Sequence, residues 1–319
     1  MLNQNNESVA AIIPTYNRKH LLDECLRALL LQTRSLDAII IVDNASTDGT
    51  NELLLENGYF NIPTIDYIRL PDNTGSSGGF HEGIKRGFER KFDWLWLMDD
   101  DAEPKEDALE KLFASGMHLP SDTVSLSSLI IESDNTIDRG MRGHYNIYLS
   151  RQFPLDECSY NKYICKIGYS SYVGMMLKSN ILDVVGFPRK DFFAFFDDIE
   201  FCLRLSKCGN LYLIKDSVVL HKNIFLKSNQ NNRILIQNYW RIYYSFRNPI
   251  LILLIHNTNM MGLLFGYLKI IFRLFRNILA IIFFDKYKLY RIRTLIKAFS
   301  HGCTFHSGKE ELHIPSKCY

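Results

Sequence analysis

Three carboxylates in a row, Asp99, Asp100 and Asp101, follow an apolar run in "WLWLMDDDAEP" (94–104). Like charges at that spacing repel, and an unpaired carboxylate ending a buried segment is costly, so positive charge must stand beside them. A divalent cation is one source. The other reading is an acidic start to a helix beginning near Pro104, where the helix dipole and free N–H groups favour negative charge. A second acidic group, Asp197 and Asp198, lies under the aromatic stretch of "FFAFFDDIEF". Partial desolvation and a like-charged neighbour there raise one carboxylate's proton affinity, which suits a general base. A helix start with Glu200 as its capping glutamate fits the same spacing. Asp43, ahead of "NASTDGT", offers an acceptor at a strand end or simply forms a turn. The glycine-rich "NTGSSGGF" lacks dinucleotide-fingerprint spacing and reads equally as a loop feeding a helix. His221 ends "DSVVLH" as a lone histidine, a residue usually structural in that position.

The elements that must position these groups alternate from Val9 onward between strand-length apolar runs and helix-length amphipathic ones, the order that builds a parallel sheet covered by helices. "SVAAIIPT", "AIIIVDN", "IDYIRL" and "WLWLMDD" read as strands, with Trp94 and Trp96 as core residues. In "RKHLLDECLRALLLQ", Leu21, Leu22, Cys25, Leu26, Leu29 and Leu30 recur at helical spacing. The parallel core thus ends at the carboxylates, and "PTYN", "VDNAS" and "MDDDA" share the carboxyl edge where open α/β sheets bind ligands. "ESDNTIDRGMRGHYN" is an acceptor-facing loop or hairpin. "SSYVGMMLK" resumes as strand, "DDIEFCLRLSKCG" is a helix with Gly209 at its C-cap, and "LYLIKDSVVLH" returns as strand.

The chain has 319 residues, 47% of them apolar, enough for one large domain or two modest ones. A net charge of +2 gives no global field for nucleic acid. Seven cysteines without a C-x-x-C pair fit neither a disulfide framework nor a zinc site and favour a reducing compartment. The first residues carry no secretory signal pattern, so a cytoplasmic location is expected. After Arg247 the chain changes character. "NPILILLIHNTNMMGLLFGYL" has no charged residue, yet His256, Asn257 and Asn259 make it a poor bilayer span. Lys269, Arg273 and Arg276 then fall on one helix face among Ile and Phe, a pattern for lying in a membrane surface or packing on another protein surface.

Five motifs in order, "IIPTYNR", "IVDNASTDGT", "DNTGSSGGF", "WLWLMDDDAEP" and "FFDDIEFCLR", make residues 8–250 resemble the inverting family 2 glycosyltransferases of GT-A type, and among them the bacterial galactofuranosyl- and rhamnosyltransferases. A weaker echo follows in "HGCTFHSGK". The resemblance implies an α/β fold with a Rossmann-like, mostly parallel central sheet flanked by helices. It implies a catalytic domain over 1–248, with a nucleotide-binding half at 8–120 and an acceptor half at 121–248, and a basic helical region over 249–319. It assigns Thr15, Tyr16, Asp43, Asn73, Gly75, Gly78, Gly79 and Asp100 to the nucleotide-sugar donor. Asp99, Asp101 and His221 become ligands of a divalent Mn or Mg; alternation along an extended strand end would turn Asp99 and Asp101 the same way. Asp198 becomes the base, while Asp197 and Glu200 orient acceptor hydroxyls or hold the loop. The expected reaction is galactofuranosyl transfer from UDP-galactofuranose to a glycan or lipid-linked acceptor at the inner face of a bacterial membrane. Rhamnosyl transfer from dTDP-rhamnose is the neighbouring alternative. A non-catalytic glycan-binding or scaffold protein would show a degraded motif, and a nucleotidyltransferase a basic glycine loop where this chain has "PTYNR". Oligomeric state stays open.

Overall fold

The computed structural model of the chain describes residues 7–116, 119–222, 239–285 and 287–304. The last five residues of the echo motif, 305–309, and the rest of the chain to 319 lie outside them.

Alternation along β1 (Val9–Thr15), a strand buried at every position, sorts its side chains onto two covered faces. On one face Val9, Ala11 and Ile13 meet Leu22, Cys25, Leu26 and Leu29 of α1 (Lys19–Leu30). On the other, Ala10 and Ile12 meet Phe80 and Ile84 of a later helix. The chain continues through β2 (Ala38–Asp43), α2 (Thr50–Glu56), β3 (Ile65–Arg69), α3 (Gly75–Glu89) and β4 (Trp94–Leu97). Trp94 and Trp96 join the α1 face, Leu95 and Leu97 the α3 face. Each apolar side chain so buried contributes roughly 1.5–3 kcal/mol, which fixes the register of a strand that carries no polar residue before Thr15. Ile12 stands opposite Ile40 of β2 and Leu97 of β4, both parallel neighbours.

Beyond β4 come β5 (Ala102–Pro104), α4 (Ala108–Gly116), β6 (Thr123–Ile131), β7 (Arg142–Asn146), β8 (Arg151–Pro154), β9 (Ile164–Ile167), β10 (Tyr169–Ser170), β11 (Met175–Lys178), the single-turn α5 (Leu182–Val185), α6 (Asp197–Leu205) and β12 (Asn210–His221). The main sheet has the order β3-β2-β1-β4-β11-β6-β12-β5, with β9 also on β12. It is parallel from β3 to β4, but β11 enters antiparallel to both β4 and β6. The sheet is therefore mixed rather than mostly parallel. Between β6 and β11 the chain makes a small antiparallel sheet, β10-β7-β8, in place of the helical crossover a parallel entry requires. Of that sheet only β7 lies in the segment, 132–146, that the sequence leaves as a loop or hairpin. Strand β1 lies between β2 and β4, so the chain reverses its direction of growth there, and the crevice at its carboxyl end is a topological switch point.

Two boundaries differ from the sequence reading. Helix α6 closes on Ser206 in right-handed conformation, and Gly209 is not its cap. A Cβ at Gly209 would stand 2.2 Å from the Asp122 carbonyl oxygen, which accepts from Asn210 where β12 begins. The expected domain edge at 248 falls inside α7 (Tyr239–His256). Leu251 and Ile252 of that helix pack into the core of the sheet, whereas Ile250 and Leu253 pack with α8 (Met260–Phe284) and α9 (Lys288–Cys303). One helix thus belongs to both cores.

Candidate active site

Strand β4 ends at Leu97, and Asp99, Asp100 and Asp101 form the turn that leads into β5. They are not helix caps, because β5 separates them from α4. Nor does strand alternation set their directions, because the strand has already ended. What separates them is their partners. Asp100 is drawn toward the end of β1, where it accepts from the Thr15 hydroxyl at 2.8 Å and from Arg18 at 2.9 Å. The antiparallel pairing of β5 with β12 sets His221 opposite Ala102 and so beside Asp101. The distance from His221 Nε2 to Asp101 Oδ1 is 3.2 Å, and Arg18 reaches Asp101 Oδ2 at 3.1 Å. Burial and the Asp101 charge push Asp99 up to about 7, and burial pushes Asp100 up to about 6 against the opposing pull of Arg18. Burial also works against ionised Asp101, but the hydrogen bond and charge of His221 outweigh it and hold that carboxyl below its ordinary range.

One ligand atom each from Asp99, Asp101 and His221 lies within 4.8 Å of the others. His221 Nδ1 is buried without a hydrogen-bond partner among the described residues, and Asp101 Oδ1 meets His221 Nε2 at 3.2 Å. Two carboxylates and an imidazole form a hard, mixed O/N donor set that suits Mn and accommodates Mg. These residues therefore fit a divalent cation.

Asp197 and Asp198 open α6 after a run of backbone strain. Phe193, Phe195 and Phe196 all have φ between 64° and 65°, a left-handed conformation that costs an ordinary residue on the order of 1–3 kcal/mol. Helix α7 holds them there. Asn248 donates to the carbonyls of Phe192, Ala194 and Phe195 at 3.1, 2.8 and 2.7 Å. Arg247 donates to those of Asp191 and Phe192, while Phe193 stacks on Tyr244 with ring centroids 4.8 Å apart. Burial and then the Asp197 charge push Asp198 up to about 8, with Asp99 contributing in the same direction. Burial pushes Asp197 up to about 6.

Glu200 is fully buried, and its carboxylate accepts from Arg204 at 2.9 Å and lies 3.1 Å from His256 Nε2 of α7. An acceptor hydroxyl has no access to it. Of the two expected roles, orienting the acceptor fails, and the contacts are those of a brace between α6 and α7.

The donor-side residues are more occupied than the sequence suggests. Asp43 is fully buried; one oxygen accepts from Ser46 N–H at 2.7 Å and the other from the Tyr67 hydroxyl at 2.6 Å. Those are the contacts of its turn-forming alternative. Thr15 is spent on Asp100, while Tyr16 at the same strand end is 39% exposed. Asn73 accepts from Gly75 N–H. Gly75, Gly78 and Gly79 belong to the first turns of α3 rather than to a loop. Their missing side chains admit protein: at Gly75, with φ +75°, a Cβ would stand 2.0 Å from the Phe193 carbonyl oxygen, at Gly78 2.2 Å from Thr74 Oγ1, and at Gly79 2.6 Å from Pro14. Ser77 N–H donates to the same Phe193 oxygen, joining the glycine turn to the strained loop.

Arg18, Arg247 and Asn248 are the residues the sequence reading passes over. For Arg18 a signal exists: it is the last residue of "IIPTYNR", at the end of the strand beside β4, and a buried acid triplet requires a cation. For Arg247 and Asn248 the sequence offers only a polar pair in an apolar run.

A mixed α/β sheet with an acidic turn at its switch point is the architecture of GT-A glycosyltransferases. Solved structures of that kind superpose on it: Staphylococcus aureus TarS 1–349 with a TM-score of 0.58 over 92% of this chain and 80% of that one, at 14% identity. GalNAc-T7 with UDP, GalNAc and Mn2+ gives 0.56 over 69% and 44%, at 15% identity. The chain belongs to glycosyl transferase family 2, whose model matches residues 10–177, and it is a glycosyltransferase. Among curated proteins, galactofuranosyltransferase GlfT1 of Mycolicibacterium smegmatis is 27% identical over 64% of this chain and 67% of its own length. Abequosyltransferase RfbV of Salmonella typhimurium is 36% identical over 32% and 30%. The chain spans about two thirds of the length of the GlfT1 relatives.

Asn248→Ala removes the donor to three carbonyls beneath the Asp197–Asp198 turn. The expected outcome is a stability loss of about 1–3 kcal/mol by denaturant titration. Hydrogen exchange should quicken most over residues 191–198, and glycosyl transfer should fall by ~100-fold, as misplacement by about 1 Å can cause.

Proposed function

We propose that the chain is a metal-dependent, inverting glycosyltransferase that moves galactofuranose from UDP-galactofuranose to a lipid-linked glycan. The observation that carries the reading is the cluster of Asp99, Asp101 and His221, whose ligand atoms lie within 4.8 Å of one another; Asp198 is the second, separate carboxylate. Asp99, Asp101 and His221 hold the divalent ion. Mn or Mg bound there supplies positive charge for the donor diphosphate and for the departing nucleotide. Arg18 and Thr15 fix Asp100, so that the turn presents its outer acids in one orientation. Tyr16, on the exposed strand end, stacks against the nucleobase. Asp198 takes the proton of the acceptor hydroxyl as that oxygen attacks the anomeric carbon from the face opposite the leaving group. Asp197 keeps Asp198 basic through its charge and meets the acceptor from the same turn.

The galactofuranose assignment draws on the GlfT1 likeness and on the histidine at 221. Rhamnosyl transfer from dTDP-rhamnose uses the same groups. Contact with the cytoplasmic face of the plasma membrane is supported by α8, whose exposed Leu264, Leu268, Phe272, Phe275, Leu279 and Phe283 share one side. No helix among the described residues is long and apolar enough to cross a membrane.

Purified protein supplied with Mn2+ and each nucleotide sugar in turn should release UDP from UDP-galactofuranose in an acceptor-dependent way; turnover with dTDP-rhamnose alone refutes the donor assignment. Asp198→Asn should lower turnover by ~100-fold or more while binding donor as tightly as the parent. Undiminished turnover in that variant would remove Asp198 from the mechanism.

A base must be ionised to work, and burial with the Asp197 charge raises Asp198 to about 8. The rate should therefore rise with pH through that region and fall as pH drops below it. A kcat/KM profile already flat at pH 5 would contradict this environment for the base.

A further inference from the structure

We infer that the cavity enclosed by α7, α8 and α9 is a seat for the phosphate of an anionic phospholipid, which anchors the outer face of α8 along the bilayer surface. This rests on the membrane contact proposed above.

The cavity measures about 450 Å3, in the size range of small-ligand sites. Its polar lining is Ser245, Arg273, Asn277, Asp285 and Arg291, with the Phe246 ring as part of the apolar wall. Arg291 is paired with Asp285. Arg273 is not so matched: its guanidinium lies 5.3 Å above the Phe246 ring, and no carboxylate among the described residues is within ion-pair distance. It sits on the inward side of α8 with buried Ile270 and Ile281, where burial works against a cation, Tyr145 favours one, and the neighbouring Arg276 charge opposes it. A half-buried guanidinium held without a counter-ion, in a cavity with room beside it, calls for an anion with several acceptor oxygens.

The ligand's class follows from what surrounds the mouth. Helix α8 has no acidic residue, only Lys269, Arg273 and Arg276. At helical spacing these lie between the inward face and the exposed stripe of Leu268, Phe272, Phe275 and Leu279. Basic residues bordering an apolar stripe match head groups above acyl chains. A second copy of this chain fits less well, since two α8 faces brought together would oppose Lys269 and Arg276 to their own kind.

The test is sedimentation of the full chain with vesicles of phosphatidylcholine, or of phosphatidylcholine with phosphatidylglycerol. The parent should prefer the phosphatidylglycerol vesicles and keep that preference at about 0.5 M salt, because a seated charge pair is screened less than surface charge. Arg293→Gln removes an exposed charge outside the cavity and should weaken binding ~5-fold at low salt, the effect of one basic residue near an anionic surface. Arg273→Gln should weaken it ~10- to 100-fold and abolish the high-salt preference, as loss of charge-assisted hydrogen bonds does. Calorimetry of the parent with soluble dihexanoyl phosphatidylglycerol should show binding, and with dihexanoyl phosphatidylcholine none. That second measurement decides the matter if Arg273→Gln does not fold. Sedimentation of the parent with neither vesicle overturns the membrane reading and the seat together. Binding that falls equally in Arg273→Gln and Arg293→Gln overturns the seat alone. Equal calorimetric binding of inorganic phosphate reassigns the cavity to a free anion, and dimerisation abolished by Phe272→Ser reassigns the face to a second copy; either result overturns the proposal.

Discussion

The structure depends on how it tolerates three consecutive carboxylates at the end of a buried strand. At a separation of ~4 Å two such charges repel by about 4 kcal/mol at an effective dielectric near 20, and burial adds its own penalty. The chain answers by sending the acids to different partners. Thr15 and Arg18 take Asp100, the β5–β12 pairing brings His221 to Asp101, and Asp99 is left with its pKa raised by burial and by its neighbour. Neutralisation by protein alone is incomplete, and the raised Asp99 carboxyl marks where more positive charge is wanted.

A second constraint acts through α7. Three left-handed phenylalanines immediately before Asp197 are conformations the sequence could not hold unaided. Asn248 and Arg247 hold them with donors from a helix that also shares its core with α8 and α9. The acidic turn that bears Asp198 and the helical layer with the exposed apolar stripe are therefore joined by one rigid element. Glu200 ties α6 to the same helix through His256.

Much of the architecture was legible in the sequence because apolar periodicity reports burial directly. Two-faced strands such as "VAAIIPT" and the Leu22–Cys25–Leu26–Leu29 stripe can pack only one way. The direction of β11 was not legible, since a short apolar strand carries no mark of whether it enters parallel or antiparallel. The ordered motifs located the acids, but they said less about who holds them. Asp43, Thr15 and Gly75 read as ligand-facing because polar and glycine residues at strand ends serve ligands and local structure alike. In the fold their atoms are spent on Ser46, Asp100 and the Phe193 backbone. Arg247 and Asn248 escaped notice because their task is long-range: their partners lie more than fifty residues earlier, and nothing local announces a strained loop.

The most direct measurement is titration of Mn2+ into the protein in the presence of UDP, followed by electron paramagnetic resonance. Binding by the parent that weakens at least ~10-fold in Asp101→Asn and in His221→Ala is the expected result, ligand loss costing no less than loss of the groups that orient ligands. Unchanged Mn2+ affinity in both variants would contradict a divalent ion held by the aspartate turn and His221.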